Sequence, residues 1–342
     1  MGKLDENRRA INLALQGGGA HGAFTWGVLD RLLEEPWFDI RAISGTSAGA
    51  LNAVALACGY HEGGALGARE KLRNVWAAVG ETAPPDLNAL NPFQMGRDLM
   101  EGLTGTSAEQ MAQVFSPSQL NPMNLDPLRE IVEREIDFDL LQKADGMKLF
   151  IAATNVSNGQ ARIFESHEMS ADVVMASACL PTVQRAVQIG GAYYWDGGFS
   201  ANPDLQGLIT KASARDSLLV QLEPLRVDDL PKSARSISNH MNWMMFNQPL
   251  RREIEAIQKI RKTKVGYFSA DKARIGRYKD HRFHHIDGGR HMAILSPDSK
   301  IRPDANNLKS LFRTGYDEAE RWLEDHSSAV GQHSSVDLGA LL

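Results

Sequence analysis

The chain has 342 residues, 43% hydrophobic and 23% charged, with a formal net charge of -5 at pH 7. Those proportions are ordinary for a soluble globular fold, and the mild acidity argues against a nucleic-acid binder. The two cysteines, Cys58 and Cys179, lie in apolar helical stretches as small hydrophobes rather than a disulfide, and no Cys/His spacing resembles a metal site.

The charged start, residues 1–9, lacks the apolar core of a signal peptide. The longest apolar stretch, 48–59, is interrupted by Asn52 and is too short to span a bilayer. The expectation is a cytoplasmic protein, with transient contact at a membrane surface as its only membrane association. Residues 11–15 read as a buried strand running into Gly17, Gly18, Gly19, Ala20, His21 and Gly22. A helix follows over 22–35, with Phe24, Val28, Leu29, Leu32 and Leu33 at helical spacing and Pro36 ending it. A second strand over 41–44 runs into Gly45, Thr46, Ser47, Ala48 and Gly49, then an apolar helix over 47–58 and another over 70–79. Two successive strand–turn–helix units predict an α/β fold of three layers, helices covering both faces of a mostly parallel central sheet.

Residues 81–126 carry Pro84, Pro85, Pro92, Pro117 and Pro122 and no periodicity, and are read as a lid-like insertion. An amphipathic helix over 125–138, strands over 148–154 and 162–164, and a small-residue helix over 170–179 closed by Pro181 come next. A hairpin pairs 187–189 with 193–195 around Gly190 and Gly191, and 217–222 is a buried strand. Long helices over 236–262 and 306–326 flank a strand-like 283–286. The whole is read as a single domain, 8–326, with 225–326 as helical C-terminal decoration and 327–342 as a flexible tail.

Chemistry concentrates in the two early turns. Gly17, Gly19 and Gly22 match the dinucleotide fingerprint, but that site also needs an acidic residue after the second strand. Asp39 precedes that strand, and the serine turn occupies the position the acid would need. The second turn has the G-x-S-x-G form, Gly45, Ser47 and Gly49, with small neighbours Thr46, Ala48 and Ala50. Such a turn between strand and buried helix presents Ser47 as a nucleophile, and the glycine turn offers backbone N–H groups to an oxyanion. The base is open among the histidines, with His21 in the glycine turn and His284, His285 and His291 clustered late, and two Asp-Gly-Gly turns, Asp196, Gly197, Gly198 and Asp287, Gly288, Gly289. The first Asp turn has the better setting, behind Tyr193, Tyr194 and Trp195 and before Asn202 and Pro203.

Taken in order, Gly17 to Gly22, Ser47 in G-x-S-x-G, and Asp196, Gly197 and Gly198 resemble the patatin-like phospholipase family. The small-residue segment Ser177, Ala178, Cys179, Leu180, Pro181 is similar to the one preceding that family's Asp motif, and the resemblance spans 11–222. It implies the patatin-like α/β fold and a Ser–Asp dyad needing no histidine, cofactor or metal. Ser47 would be the nucleophile and Asp196 the base. The amides of Gly17, Gly18, Gly19 and Ala48 would form the oxyanion hole, with Gly22, Gly45, Gly49, Gly197 and Gly198 supporting the turns. The substrates implied are acyl esters of lipids, cleaved through an acyl-serine. A non-catalytic lipid- or nucleotide-binding protein on the same scaffold is the alternative. His21 departs from the Arg or Lys common at that position, which leaves less charge to face an oxyanion. Two further features stand apart. The run from Met241 to Phe246 is read as core packing, with a wall of an acyl-chain pocket as the alternative, and Arg251, Arg252, Lys259, Arg261, Lys262 and Lys264 as a solvated helix face, with contact to anionic lipid as the sharper alternative.

Overall fold

Apolar runs without polar alternation form strands that are covered on both sides. The strands are β1 (Arg9–Leu15), β2 (Phe38–Gly45), β3 (Lys148–Asn155), β4 (Ala161–Glu165), β5 (Val187–Ile189), β6 (Ala192–Asp196), β7 (Asp216–Gln221) and β8 (Arg282–Asp287). This computed structural model describes residues 8–82, 126–181, 184–228, 230–264, 271–295, 297–300 and 303–342, so the expected lid over 81–126 lies, but for its ends, outside the described residues. Hydrogen bonds join one eight-stranded sheet in the order β5-β6-β3-β2-β1-β7-β8, with β4 paired to β3. The ladders β1–β2, β1–β7, β2–β3 and β7–β8 are parallel; those of β4, β5 and β6 are antiparallel.

The helices are α1 (Gly22–Leu32), α2 (Ala48–Glu81), α3 (Pro127–Glu135), α4 (Phe138–Lys143), α5 (Ala171–Ser177), α6 (Leu205–Lys211), α7 (Ala234–Lys262), α8 (Lys272–Asp280), α9 (Gly289–Met292) and α10 (Ala305–His326). Strand alternation divides them into two outer layers. Leu13, Leu15, Ile43, Leu149, Ile151, Leu218 and Val220 point to the face packed by α1, α2, α3, α5 and α10. Ala14, Ala42, Phe150, Leu219 and Phe283 point to the opposite face, where Leu205 and Leu208 of α6, Leu250, Ile254 and Ile257 of α7 and Tyr278 of α8 close over them. The three-layer α/β/α architecture expected from the early strand–turn–helix units is therefore the one observed. The two helices expected over 47–58 and 70–79 run together as α2, broken at Gly63 and Gly64.

Two corrections concern the C-terminal third. Residues 225–326 are more than decoration, because α7 supplies one outer layer and β8 is a parallel strand of the sheet. Residues 327–342 fold back onto β8. Ser335 donates its amide to the Phe283 carbonyl at 3.0 Å, and Val330 and Leu338 are each 1% exposed. Their Ser- and Gly-rich composition hid the two apolar anchors.

On the first face α1 and α10 cross at van der Waals contact between backbones. A Cβ on Gly27 would lie 1.9 Å from the Phe312 carbonyl oxygen, and one on Gly315 would lie 2.0 Å from that of Phe24. Gly315→Val is accordingly expected to destabilise the protein by about 3 kcal/mol, since two packed helices must separate to admit it; urea denaturation measures the loss. Among the described residues no helix is long and apolar enough to cross a membrane.

The feature that builds the site is the crowding along β3. Its residues 150–154 pair with β4 on one edge. On the other edge β2 pairs with β3 up to Gly45 opposite Ile151, and β6 takes over the same edge with Asp196 opposite Ala153. Running in opposite directions, β2 and β6 finish head to head, two residues apart along β3, a separation of roughly 7 Å.

Candidate active site

The head-to-head strand ends bring Ser47 and Asp196 to one place from positions far apart in the chain. Ser47 caps α2 with φ 55° and ψ -122°, and it is the non-glycine residue with positive φ among the described residues. Such a conformation costs on the order of 1–3 kcal/mol and persists only where its surroundings impose it. Here the glycines impose it. A Cβ on Gly45 would come 2.5 Å from the Gly49 carbonyl oxygen, and one on Gly49 would come 2.2 Å from that of Leu15. The elbow also closes tightly on the glycine turn, because a Cβ on Gly17 would lie 2.8 Å from Cβ of Ser47 and one on Gly22 would lie 2.6 Å from Cβ of Ala48.

Asp196 ends β6 and is fully buried. Its Oδ1 accepts the Gly198 amide at 2.7 Å, as an Asx turn does. Burial pushes its carboxyl up to about 7, against the opposing pull of the Gly198 amide and the Ser47 hydroxyl. The Ser47 hydroxyl is near enough to act on the carboxyl, yet no well-aligned hydrogen bond joins them, and Oδ2 has no partner among the described residues. A carboxylate with raised proton affinity and an unclaimed oxygen beside an outward-forced serine is equipped to take that serine's proton. Gly197 is wedged against β3, its Cβ position 2.2 Å from the Ala152 carbonyl oxygen, and Gly198 lies under the Phe246 ring.

One expected oxyanion donor is otherwise engaged. The Gly17 amide donates to Asn202 Oδ1 at 2.8 Å, which removes it from the hole and makes it an anchor of the turn. Gly18, half-buried, Gly19, exposed at φ 58°, and Ala48, at the first position of α2, are left as candidate donors. The N-terminus of a long helix adds its positive end at Ala48. His21 is buried and holds Ser299 Oγ through Nε2 at 2.7 Å. Burial, helped by the Lys300 charge, lowers it to about 4, so at neutral pH it is an uncharged clamp on the turn and supplies no cation.

The late histidines and Asp287 are elsewhere. β8 is separated from β2 by β1 and β7, which sets Asp287 roughly 14 Å from the serine strand at ordinary strand spacing. His284 bridges Ser335 and Asp216 at 3.0 Å each, His285 bonds Gln221 at 3.0 Å, and His291 bonds Glu318 at 2.6 Å. Burial pushes the Cys58 thiol up to about 11 and the Cys179 thiol to about 12, so both stay protonated as inert hydrophobes.

Five residues, Ser177, Cys179, Asn202, Phe246 and Gln16, support the site through contacts that sequence reasoning did not assign. Ser177 Oγ accepts the Ser47 amide at 2.9 Å, and two residues on, the Cys179 carbonyl accepts the Asp196 amide at 2.8 Å. The C-terminal end of α5 and the residues just beyond it thus hold both Ser47 and Asp196. Asn202, which follows the Asp turn, holds Gly17 on one side and the Phe246 carbonyl on the other at 3.0 Å. Phe246 also packs at a tilt against Phe199, with ring centroids 4.7 Å apart. Gln16 accepts the amides of Leu222 and Glu223 at 2.7 and 2.9 Å and reaches Asn247 at 3.4 Å. Asn202 beside its proline, the segment from Ser177 to Pro181 and the apolar run ending at Phe246 each left a sequence signal; Gln16 left none. Ser177→Ala leaves the buried Ser47 amide unsatisfied, a cost of about 1–3 kcal/mol. It should lower kcat roughly 10- to 100-fold with little change in KM, a split that steady-state kinetics resolves.

The family model for Patatin-like phospholipase matches residues 13–209. A search of the curated proteins finds no match. Among solved structures the chain is similar to VipD from Legionella pneumophila, at 15% identity over 94% of this chain and 67% of that one, with a TM-score of 0.43. It is also similar to a chain of the heterodimeric complex ExoU–SpcU from the type III secretion system of Pseudomonas aeruginosa, at 16% identity over 98% and 74%, with a TM-score of 0.30.

Proposed function

The chain belongs to the patatin-like phospholipase family, and on that premise we propose that it hydrolyses acyl esters of lipids through a Ser47–Asp196 dyad and an acyl-serine intermediate. The observation that carries this reading is the strained Ser47 set beside a buried Asp196 whose Oδ2 is unclaimed. Ser47 Oγ attacks the ester carbonyl carbon while its proton passes to Asp196, and the carbonyl oxygen becomes an oxyanion held by the amides of Gly18, Gly19 and Ala48. One such donor is worth on the order of 3 kcal/mol in the transition state. Collapse of the tetrahedral intermediate breaks the ester C–O bond, and Asp196 returns the proton to the departing alcohol. Water, deprotonated by Asp196, then releases the fatty acid and restores Ser47.

Incubation of the pure protein with phospholipids, lysophospholipids, monoacylglycerols and soluble short-chain esters, with mass spectrometry of the released acids, tests the reading and sorts phospholipase A from lysophospholipase and plain esterase activity. Release of a fatty acid from at least one lipid, together with fluorophosphonate labelling of Ser47, is expected. A protein that binds lipid but neither turns over an ester nor takes the label is a binding protein on this scaffold.

A further inference from the structure

The helix that secures the site also carries an apolar surface. The Met-rich run expected in the core is partly outside it. On α7, Ile237, Met241, Met244 and Met245 are 45%, 58%, 45% and 44% exposed. Their spacing places them on one face of the helix. Val227 and Leu230, in the segment leading into α7, are exposed too. Isolated exposed hydrophobes need no explanation, but a contiguous stripe marks a contact surface. The opposite, inner side of the same turns carries Phe246, which covers Gly198 and packs against Phe199 beside Asp196. Past Pro249 the outer face continues with Arg252, Lys259 and Lys262, all exposed, and with Glu255 among them. The outer face is therefore apolar along its first half and mainly cationic along the second.

That order favours lipid over a second copy. Antiparallel pairing of two such faces would set each cationic half against the other's apolar half, and parallel pairing would set cation against cation. A bilayer suits both halves at once: acyl chains take apolar side chains, for which flexible methionine is well adapted, and headgroup phosphates take lysine and arginine. We propose that this face of α7 seats the protein on a bilayer containing anionic phospholipid, Ile237, Met241, Met244 and Met245 entering the acyl region and Arg252, Lys259 and Lys262 meeting the phosphates. Seated so, the protein is held at the surface that contains its substrate, and in this the inference rests on the lipid acyl hydrolase reading above.

Vesicle flotation separates the two. The Ser47→Ala protein is floated with vesicles of phosphatidylcholine alone, or of phosphatidylcholine and phosphatidylglycerol in equal parts, so that the lipid stays intact. Tighter binding to the anionic vesicles is expected. Met241→Glu with Met244→Glu should weaken binding to both compositions roughly tenfold or more, and Arg252→Glu with Lys259→Glu should abolish only the preference for phosphatidylglycerol. With Ser47 intact, the methionine pair should leave turnover of a short-chain soluble ester at the parent level. Binding unchanged in the methionine pair, or no binding by the parent to either vesicle, overturns the proposal. So does a parent dimer in size-exclusion chromatography that the methionine pair dissociates, which makes the face an interface between copies. Vesicle binding through this face without release of any fatty acid leaves the surface in place and defeats the hydrolase reading instead.

Discussion

Ser47→Ala should lower ester hydrolysis by at least about 10⁴-fold, as removal of a nucleophile does elsewhere, and abolish fluorophosphonate labelling, while circular dichroism and thermal stability stay at the parent level. The fold should persist because the contact that anchors this residue is its amide on Ser177 Oγ, not its side chain. Ser47→Gly sharpens the test. Glycine adopts φ 55° without strain, so this variant should be equally inactive but up to about 1 kcal/mol more stable than Ser47→Ala. An inactive and more stable variant is the signature of a position whose geometry is held for chemistry. Labelling that survives in Ser47→Ala would move the nucleophile elsewhere, and Ser335, whose Oγ is 3.0 Å from His284 Nδ1, would be the first residue to test.

Asp196→Asn should remove activity by roughly 10³- to 10⁴-fold, because an amide keeps the shape of the Asx turn but accepts no proton from Ser47. His284→Ala, His285→Ala and His291→Ala, each outside the site, should leave most turnover; a loss from any one of them equal to that at Asp196 would sink the dyad. The pH dependence follows from burial, which raises Asp196 from the 3.8 of an ordinary aspartate to about 7. The base works only when deprotonated, so kcat/KM should climb through pH 7 rather than near pH 4. Glu253, on α7, is also raised by burial and by the Asp204 charge; Glu253→Gln should leave that acid limb in place. Stability moves the opposite way from activity. The folded state holds the Asp196 proton more tightly than the unfolded chain, so stability falls as pH rises from about 4 to 7 and the loss is complete above that range. Asp196→Asn escapes this. Its Tm should exceed that of the parent above pH 7, and the difference should vanish near pH 4.

The sequence made the turns legible because each is defined by what cannot fit. Gly45 and Gly49 flank Ser47 at positions where any Cβ meets a carbonyl oxygen, and such exclusions leave a local mark. The strands were legible for a related reason: Leu13, Leu15, Ile43 and Ile151 have no exposed side to make polar, so each strand reads as an apolar run. What the sequence hid depends on distant partners. Nothing near Gly17 says that its amide is taken by Asn202, and the segment from Ser177 to Pro181, though recognisable, does not say that Ser177 holds the Ser47 amide. The short helices α6 and α8 carry too few apolar residues for a period to register. The exposed methionines of α7 follow the spacing of a core face, and only the outer layer's packing shows which side of the helix is covered.

The shared edge of β3 also has a consequence in time. Until β2 and β6 have both docked on that edge, Ser47 and Asp196 belong to separate pieces of chain, and neither ladder alone places them together. Pairing across such sequence distances is slow, since loop closure must precede any reward from contact. On refolding from urea, helical signal and burial of tryptophan should return first, and reactivity toward a fluorophosphonate last. A covalent probe of Ser47 is thereby a clock for the final step of folding, reporting the moment at which two strands finish against one another.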